Sequence, residues 1–229
     1  MKNDCEFVMK YKFVLPITGL FAAILLITNT LNTKMFAIGG IPFPAGIIVF
    51  PLSYLLGDIL TEVYGYSTSR RIVWTGFASV LLMLVCYEIA IALPAASFWN
   101  NQAAFESIFQ GAPRMVLASF TAYLCGEFMN SYVVAKMKVR TKGRYMSLRF
   151  VASTLIGEFV DTSVVIAIAF WGVLKAGDMV QLMFSAWVFK VTWEIIALPV
   201  TIPLVNKIKH IEQVDYFDSA TDFNPFHIK

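Results

Sequence analysis

Eight ionisable side chains lie inside long apolar stretches of this chain: Asp58, Glu62, Glu88, Glu127, Glu158, Asp161, Lys190 and Glu194. Water is scarce in such stretches. A charged group there needs a partner, a water-filled space or a ligand. Their spacing is also ordered. Asp58 and Glu62, and Lys190 and Glu194, are four residues apart. Glu127 and Asn130, and Glu158 and Asp161, are three apart. On helices, each pair shares one face, so four helices would each carry a polar stripe. Several carboxyl groups and one amine can do two kinds of chemistry. Carboxylates accept paired hydrogen bonds from the adjacent N–H groups of a planar base. The same groups can pass protons or small cations. Aromatic side chains that could stack on a base stand nearby in sequence: Phe128, Phe159, Trp187, Phe189 and Trp193. The residues alone leave both chemistries open.

Other chemistries are argued against. Both histidines, His210 and His227, stand in the C-terminal tail, which leaves no histidine for a metal centre or a Ser-His pair among the apolar segments. Cys5, Cys86 and Cys125 form no CxxC pair and no disulfide framework. No GxxxxGK[ST] phosphate loop occurs. No cofactor is expected, and the chain is read as a non-enzyme.

The elements that must hold these groups are read from hydropathy. Apolar residues make up 58% of the chain and charged residues 14%, against about 45–50% and about 25% in soluble domains. The apolar excess falls in blocks long enough for membrane-spanning helices, which need about 20 residues each. We read an all-α membrane protein with six transmembrane helices at 13–33, 45–64, 71–94, 114–136, 149–173 and 180–206. Residues 1–12 and 207–229 form cytoplasmic tails around a 13–206 transmembrane domain. The first block exceeds a signal-peptide core and is read as a retained helix. The connection over 95–113 contains Phe98, Trp99 and Phe105 and is expected along the membrane surface.

Orientation follows from the basic residues. With the N-terminus inside, 14 of the 18 Lys and Arg residues fall on the inner side, and only Lys34, Arg114 and Lys175 fall outside. Every loop obeys the positive-inside rule. The net charge of +3 therefore reports topology and does not point to nucleic acid. By depth, Glu158 and Lys190 lie near mid-bilayer. Glu62 falls near the inner surface and Glu88 near the outer one, where exposure to headgroups is cheap.

Two local patterns bear on the site. The run from Gly39 to Gly46 cannot be regular helix; it reads either as a stiff outer turn or as a lid over a binding site. Pro51 is expected to bend the helix that follows. Gly126-Glu127 and Gly157-Glu158, each preceded by Ala-Ser, form an internal echo that a shared packing demand can explain. Ala118, Ala122 and Gly126 recur at four-residue spacing, as do Ser153 and Gly157, and such stripes let helices approach closely.

The string Phe50-Pro51-Leu52-Ser53-Tyr54 through Asp58, then Thr61-Glu62-Val63-Tyr64-Gly65 and Arg70-Arg71, resembles the queuosine precursor transporter family, also called the vitamin uptake transporter family. Arg114, Ala118-Ser119-Phe120, Ser153-Thr154, Gly157-Glu158, Asp161-Thr162 and Phe189-Lys190 extend the resemblance, and Asn29 and Asn32 close the first helix in a similar way. It covers residues 20–206. The resemblance implies a six-helix fold like the substrate-binding subunits of energy-coupling-factor vitamin transporters. It also implies uptake of a deazaguanine base across the bacterial inner membrane. The expected site residues are Asp58, Glu62, Glu158, Asp161 and Lys190 on both grounds, Glu127 and Glu194 from their place among apolar residues, and Asn29 and Arg114 from the resemblance. The expected partners are the base and the lipid bilayer, with a homodimer left open. The competing readings are a subunit of an ATP-driven vitamin transporter, a carrier of another heteroaromatic solute, an intramembrane enzyme and an assembly scaffold.

Overall fold

The computed structural model describes residues 11–38, 41–110 and 113–227. Seven α-helices are present among them: α1 (Val14–Leu31), α2 (Pro51–Tyr64), α3 (Tyr66–Ala92), α4 (Gln102–Phe109), α5 (Pro113–Arg140), α6 (Met146–Phe170) and α7 (Ala176–Glu212). Four of them, α1, α3, α6 and α7, are long and apolar enough to cross a membrane. The chain is thus a predominantly helical membrane protein.

One departure from an all-helical chain lies between α1 and α2. Strands β1 (Met35–Ile38) and β2 (Ile41–Pro44) pair antiparallel, with Phe36 opposite Phe43. Pro42 and Pro44 lack N–H groups, which a two-stranded ribbon tolerates. A 3₁₀ turn over Ala45–Ile48 follows. Gly46 in it presses on α1: a Cβ there would stand 2.1 Å from Asn32 Oδ1 and 2.5 Å from the Thr28 carbonyl oxygen. The second predicted helix therefore starts later than 45. Pro51 does not bend it. Proline is the first residue of α2, where its missing N–H leaves no intrahelical bond unmade.

Helix α2 has only 14 residues, about 21 Å at 1.5 Å per residue. It is the hub of the bundle. Tyr54, Ile59, Leu60, Val63 and Tyr64 are all buried, and so are Ser53, Asp58, Thr61 and Glu62. A helix enclosed by protein on every side can carry polar groups that a lipid-facing helix cannot. Its apolar face joins Phe21 and Leu25 of α1, Ile72 and Val73 of α3, Phe150 of α6 and Val205 of α7 in one core cluster.

Gly65 separates α2 from α3 at φ 85°, a left-handed conformation that glycine adopts without steric penalty. The chain reverses there. Starts of α1, α3 and α6 meet ends of α2, α5 and α7 at one end of the bundle: the Phe13 N–H donates to Glu212, and Arg149 and Lys209 both reach Glu62. This is the basic end. The hairpin lies at the opposite end, where Arg114 ties α5 to the Ile168 carbonyl of α6 and to that of Trp171 just past its end, both at 2.5 Å. Helix α7 spans 37 residues, about 55 Å at 1.5 Å per residue, and so extends well beyond the hydrocarbon thickness. The connection before α5 contains the short helix α4, which has no buried residue.

The segment after α7 folds back on the basic end. The Tyr216 N–H donates to the Val63 carbonyl at 3.1 Å. Both Asp218 oxygens accept the Tyr66 N–H at 3.1 Å and so cap α3 from a distance of 152 residues. Arg70 and Trp74 of α3 hold tail carbonyls at Asp222, Asn224 and Pro225.

Candidate functional site

Helices α5 and α6 pack directly against each other at Gly126 and Gly157. A Cβ on either would stand 3.0 Å from the other's carbonyl oxygen. That contact gives the Gly-Glu echo a packing reason. Each glycine is followed by its glutamate, so close approach of the backbones brings Glu127 and Glu158 towards the same interior. Ala118 and Ala122 are fully buried along the same stripe.

Four helices deliver polar side chains into this interior. Lys190 of α7 stands 2.5 Å from Asp161 and 2.8 Å from Glu158, both on α6. Its ammonium lies 4.4 Å from the Phe50 ring centroid, within range of a cation–π contact. One turn on, Glu194 accepts a hydrogen bond from the Thr154 hydroxyl. Asp58 of α2 accepts from the Asn130 amide at 2.7 Å and from the Ser153 hydroxyl at 3.5 Å, and it lies against Glu194. Glu127 points at α2: its Oε1 would sit 2.1 Å from a Cβ at Gly57. All these carboxyl groups are buried. Five acids thus face one ammonium. Burying four uncompensated anions would cost several kcal/mol each, so the cluster must hold protons or a ligand bearing donors.

Asp58, Glu158, Asp161, Lys190 and Glu194 therefore come together, with Glu127 to one side. The other three expected site residues lie elsewhere. Asn29 is half-buried on α1, its amide bonded to the Leu25 carbonyl at 2.9 Å. Arg114 is exposed at the hairpin end. Glu62 is not a solvated helix end. It is fully buried at the basic end, 2.8 Å from Arg149 and 2.6 Å from Lys209, with Lys138 at 3.7 Å. Lys138 spends its three donors on the Glu62 carbonyl (2.5 Å), Asp215 (2.5 Å) and the Tyr216 carbonyl (2.7 Å). Glu88 is exposed.

Residues 44–204 match the family described as "Putative vitamin uptake transporter". The chain belongs to the vitamin uptake transporter family. The matched segment runs from β2 into α7 and contains the whole acidic cluster. Two curated relatives agree. The "Probable queuosine precursor transporter" of Bacillus subtilis is 28% identical over 79% of this chain and 81% of its own length. The "Queuosine precursor transporter" of Escherichia coli is 29% identical over 55% of this chain and 54% of its own length. No solved structure matches the chain at a significant level.

Within this family member, the aromatic groups nearest the cluster are not the ones that sequence spacing favours. Phe159 is 48% exposed, and Trp187 donates its indole N–H to the Leu155 carbonyl. Tyr123 of α5 borders the cluster at Glu127 and Asp161, and Phe50 and Tyr54 stand at it from the start of α2. Tyr54 is fully buried, with its hydroxyl 3.5 Å from the Gly157 carbonyl, and its ring centroid is 5.6 Å from that of Phe50. Their place in the Phe50–Asp58 string is the only signal that marks them in the sequence. Phe43 of the hairpin packs on Phe189, at 5.8 Å between centroids, beside Lys190.

Proposed function

We propose that this chain imports a queuosine precursor, a deazaguanine base, across the bacterial cytoplasmic membrane. Membership of the vitamin uptake transporter family and the chain's likeness to two queuosine precursor transporters support the substrate class. The observation that carries the reading on this chain is the pairing of Lys190 with Glu158 and Asp161 beneath Phe50 and Tyr54, with Asp58 and Glu194 against each other in the same interior. A purine-like base offers adjacent N–H donors for carboxylates, an acceptor for the ammonium and a face for a ring. A base entering the cluster would replace internal pairs with its own hydrogen bonds.

In this reading α2 and α5 complete six membrane-crossing helices with α1, α3, α6 and α7. Both termini are cytoplasmic, so the basic end faces the cytoplasm and the hairpin faces outwards as a lid. The buried position of α2 explains how so short and polar a helix stays in the membrane region.

The test is uptake of a radiolabelled deazaguanine base by bacteria that lack their own carrier and express this chain. Uptake above the empty-vector background, lost in the Asp161→Asn and Lys190→Met variants, is the expected result. Background uptake with the protein demonstrably in the membrane rejects the substrate assignment.

A further inference from the structure

Glu127 is the one member of the acidic cluster that the base-binding reading does not use. Its side chain is fully buried, and neither carboxyl oxygen has a hydrogen-bond partner. The Ser131 hydroxyl lies beside it; its oxygen accepts from Thr61 and lies 3.1 Å from Ser69, so it can offer Glu127 one neutral O–H and no charge. The titratable groups that face Glu127 are Asp58 and Tyr54 from α2, Tyr123 on its own helix, Glu158 and Asp161 from α6, and Glu194 from α7. Every one is an acid or a phenol. From α3, the Ser69 hydroxyl reaches Ser131 at 3.1 Å. Lys190, the cation of this interior, is held by Asp161 and Glu158 at 2.5 and 2.8 Å.

A second orphan adjoins it. Asn130, one turn along α5 and on the same face, gives its amide N–H to Asp58, while its Oδ1 has no donor. Glu127, Asn130, Asp58 and Glu194 therefore form a polar track that joins the α2–α5 contact to the Lys190 site.

The space around Glu127 selects the ligand. Its Oε1 lies where a Gly57 side chain would be, with 2.1 Å to an ideal Cβ, so the carboxyl is pressed against the α2 backbone. A sodium ion needs room for several oxygen ligands around it, and a carboxyl oxygen pressed this close to the α2 backbone leaves little. A proton needs no volume and removes the whole charge.

We propose that Glu127 is the coupling-proton site of the carrier: one proton enters from the outer water, forms an O–H bond on the Glu127 carboxylate, crosses with the solute and returns to water on the inner side. This rests on the transport reading above and adds its energy source. The Asn130–Asp58 bond links the two sites: a base hydrogen-bonding at Asp58 pulls on the Asn130 amide, whose free oxygen can then accept the Glu127 O–H.

The experiment uses the purified full chain in proteoliposomes with radiolabelled 7-deazaguanine. Exchange of internal for external label without any gradient tests transport itself; its absence in the wild type removes the transport reading and this proposal with it. With exchange present and the membrane potential clamped at zero, an inward gradient of one pH unit should support up to about tenfold accumulation for one proton per solute. The ratio of accumulation to exchange should fall to unity in Glu127→Gln and be retained in Glu127→Asp. A lumenal pH dye should report acidification when base is added outside the wild type, a readout that needs no variant to fold. Accumulation driven by a sodium gradient alone, or gradient-driven accumulation that persists in Glu127→Gln, overturns the assignment.

Discussion

Arg149 and Glu62 meet through two hydrogen bonds, Nη2 to Oε1 at 2.8 Å and Nε to Oε2 at 3.3 Å, with both side chains fully buried. They join the start of α6 to the end of α2. The fork of a guanidinium matches a carboxylate in a way that a lysine cannot. Arg149 also reaches the Thr141 hydroxyl at 3.2 Å and the Arg144 carbonyl, so one side chain fixes the turn between α5 and α6 as well.

Removing Arg149 takes the two-bond partner from a fully buried carboxylate and leaves it to Lys209 at 2.6 Å and Lys138 at 3.7 Å. Arg149→Met should lower unfolding stability by about 3–5 kcal/mol, read as a fall in thermal midpoint of the detergent-solubilised protein. Arg149→Lys should recover only part of it. An unchanged midpoint in Arg149→Met would show that Lys209 and Lys138 suffice to hold Glu62.

Lys190→Met should have two separable effects. It orphans Asp161 and Glu158, so the thermal midpoint should fall. It also removes the amine from the proposed binding site, so uptake should be lost. Adding Asp161→Asn removes one orphaned charge and should restore much of the midpoint. Uptake should stay lost in the double variant; recovered uptake would make Lys190 a structural ion-pair partner.

Gly157→Ala tests the helix contact. The new Cβ would stand 2.8 Å from the Asn130 Cβ and 3.0 Å from the Gly126 carbonyl oxygen. Overpacking of this kind costs about 1–3 kcal/mol. Gly19→Ala on α1 is the control, since nothing lies within 4 Å of a Cβ there; it should be neutral or slightly stabilising because alanine favours helix. Equal midpoints for the two variants would contradict the close crossing of α5 and α6.

Asp215 sets a pH dependence. Burial works to raise its carboxyl, but hydrogen bonds from Lys138 and Lys209 outweigh it and hold it below its ordinary value of 3.8. A depressed carboxyl stabilises the folded state above the unfolded value and stops doing so as pH falls through the folded one. The wild-type midpoint should therefore exceed that of Asp215→Asn by a constant margin between about pH 5 and 8, and the margin should close below 3.8. A margin that widens on acidification would reverse the sign and detach the tail from this pair.

Much of this protein is legible in its sequence because a bilayer is a demanding solvent. Helices that face lipid must be long and apolar, so α1, α3, α6 and α7 announce themselves, although α3 starts at Tyr66 and not 71, and α7 runs to Glu212, into the segment expected as a tail from 207. The Pro-Gly run marks non-helical backbone ahead of the second helix because proline lacks a donor and glycine resists ordering, but the helix expected from 45 begins only at Pro51, after a 3₁₀ turn. The carboxyl groups stand out because charge among apolar residues is expensive. What these signals lack is distance. The Glu62 position reads as a solvated helix end because its depth is near a surface; only the fold brings Arg149, Lys138 and Lys209 over it. Likewise, a tail of polar residues gives no sign that Asp218 will cap α3.

Composition, hydropathy and short strings by themselves determined the class, the positions of the long helices and the list of groups that could bind or carry. Each follows from local physics: the partition of a segment between water and lipid, and the backbone limits of proline and glycine. Tertiary structure alone decided that Lys190 belongs to Asp161 and Glu158, that Glu127 is left without a partner, and that Phe50 and Tyr54, not Phe159 or Trp187, stand at the cluster. Pairing between buried charges depends on angstrom-scale separations between helices far apart in the chain. Those separations are set by where glycines let backbones touch, as at Gly126 and Gly157.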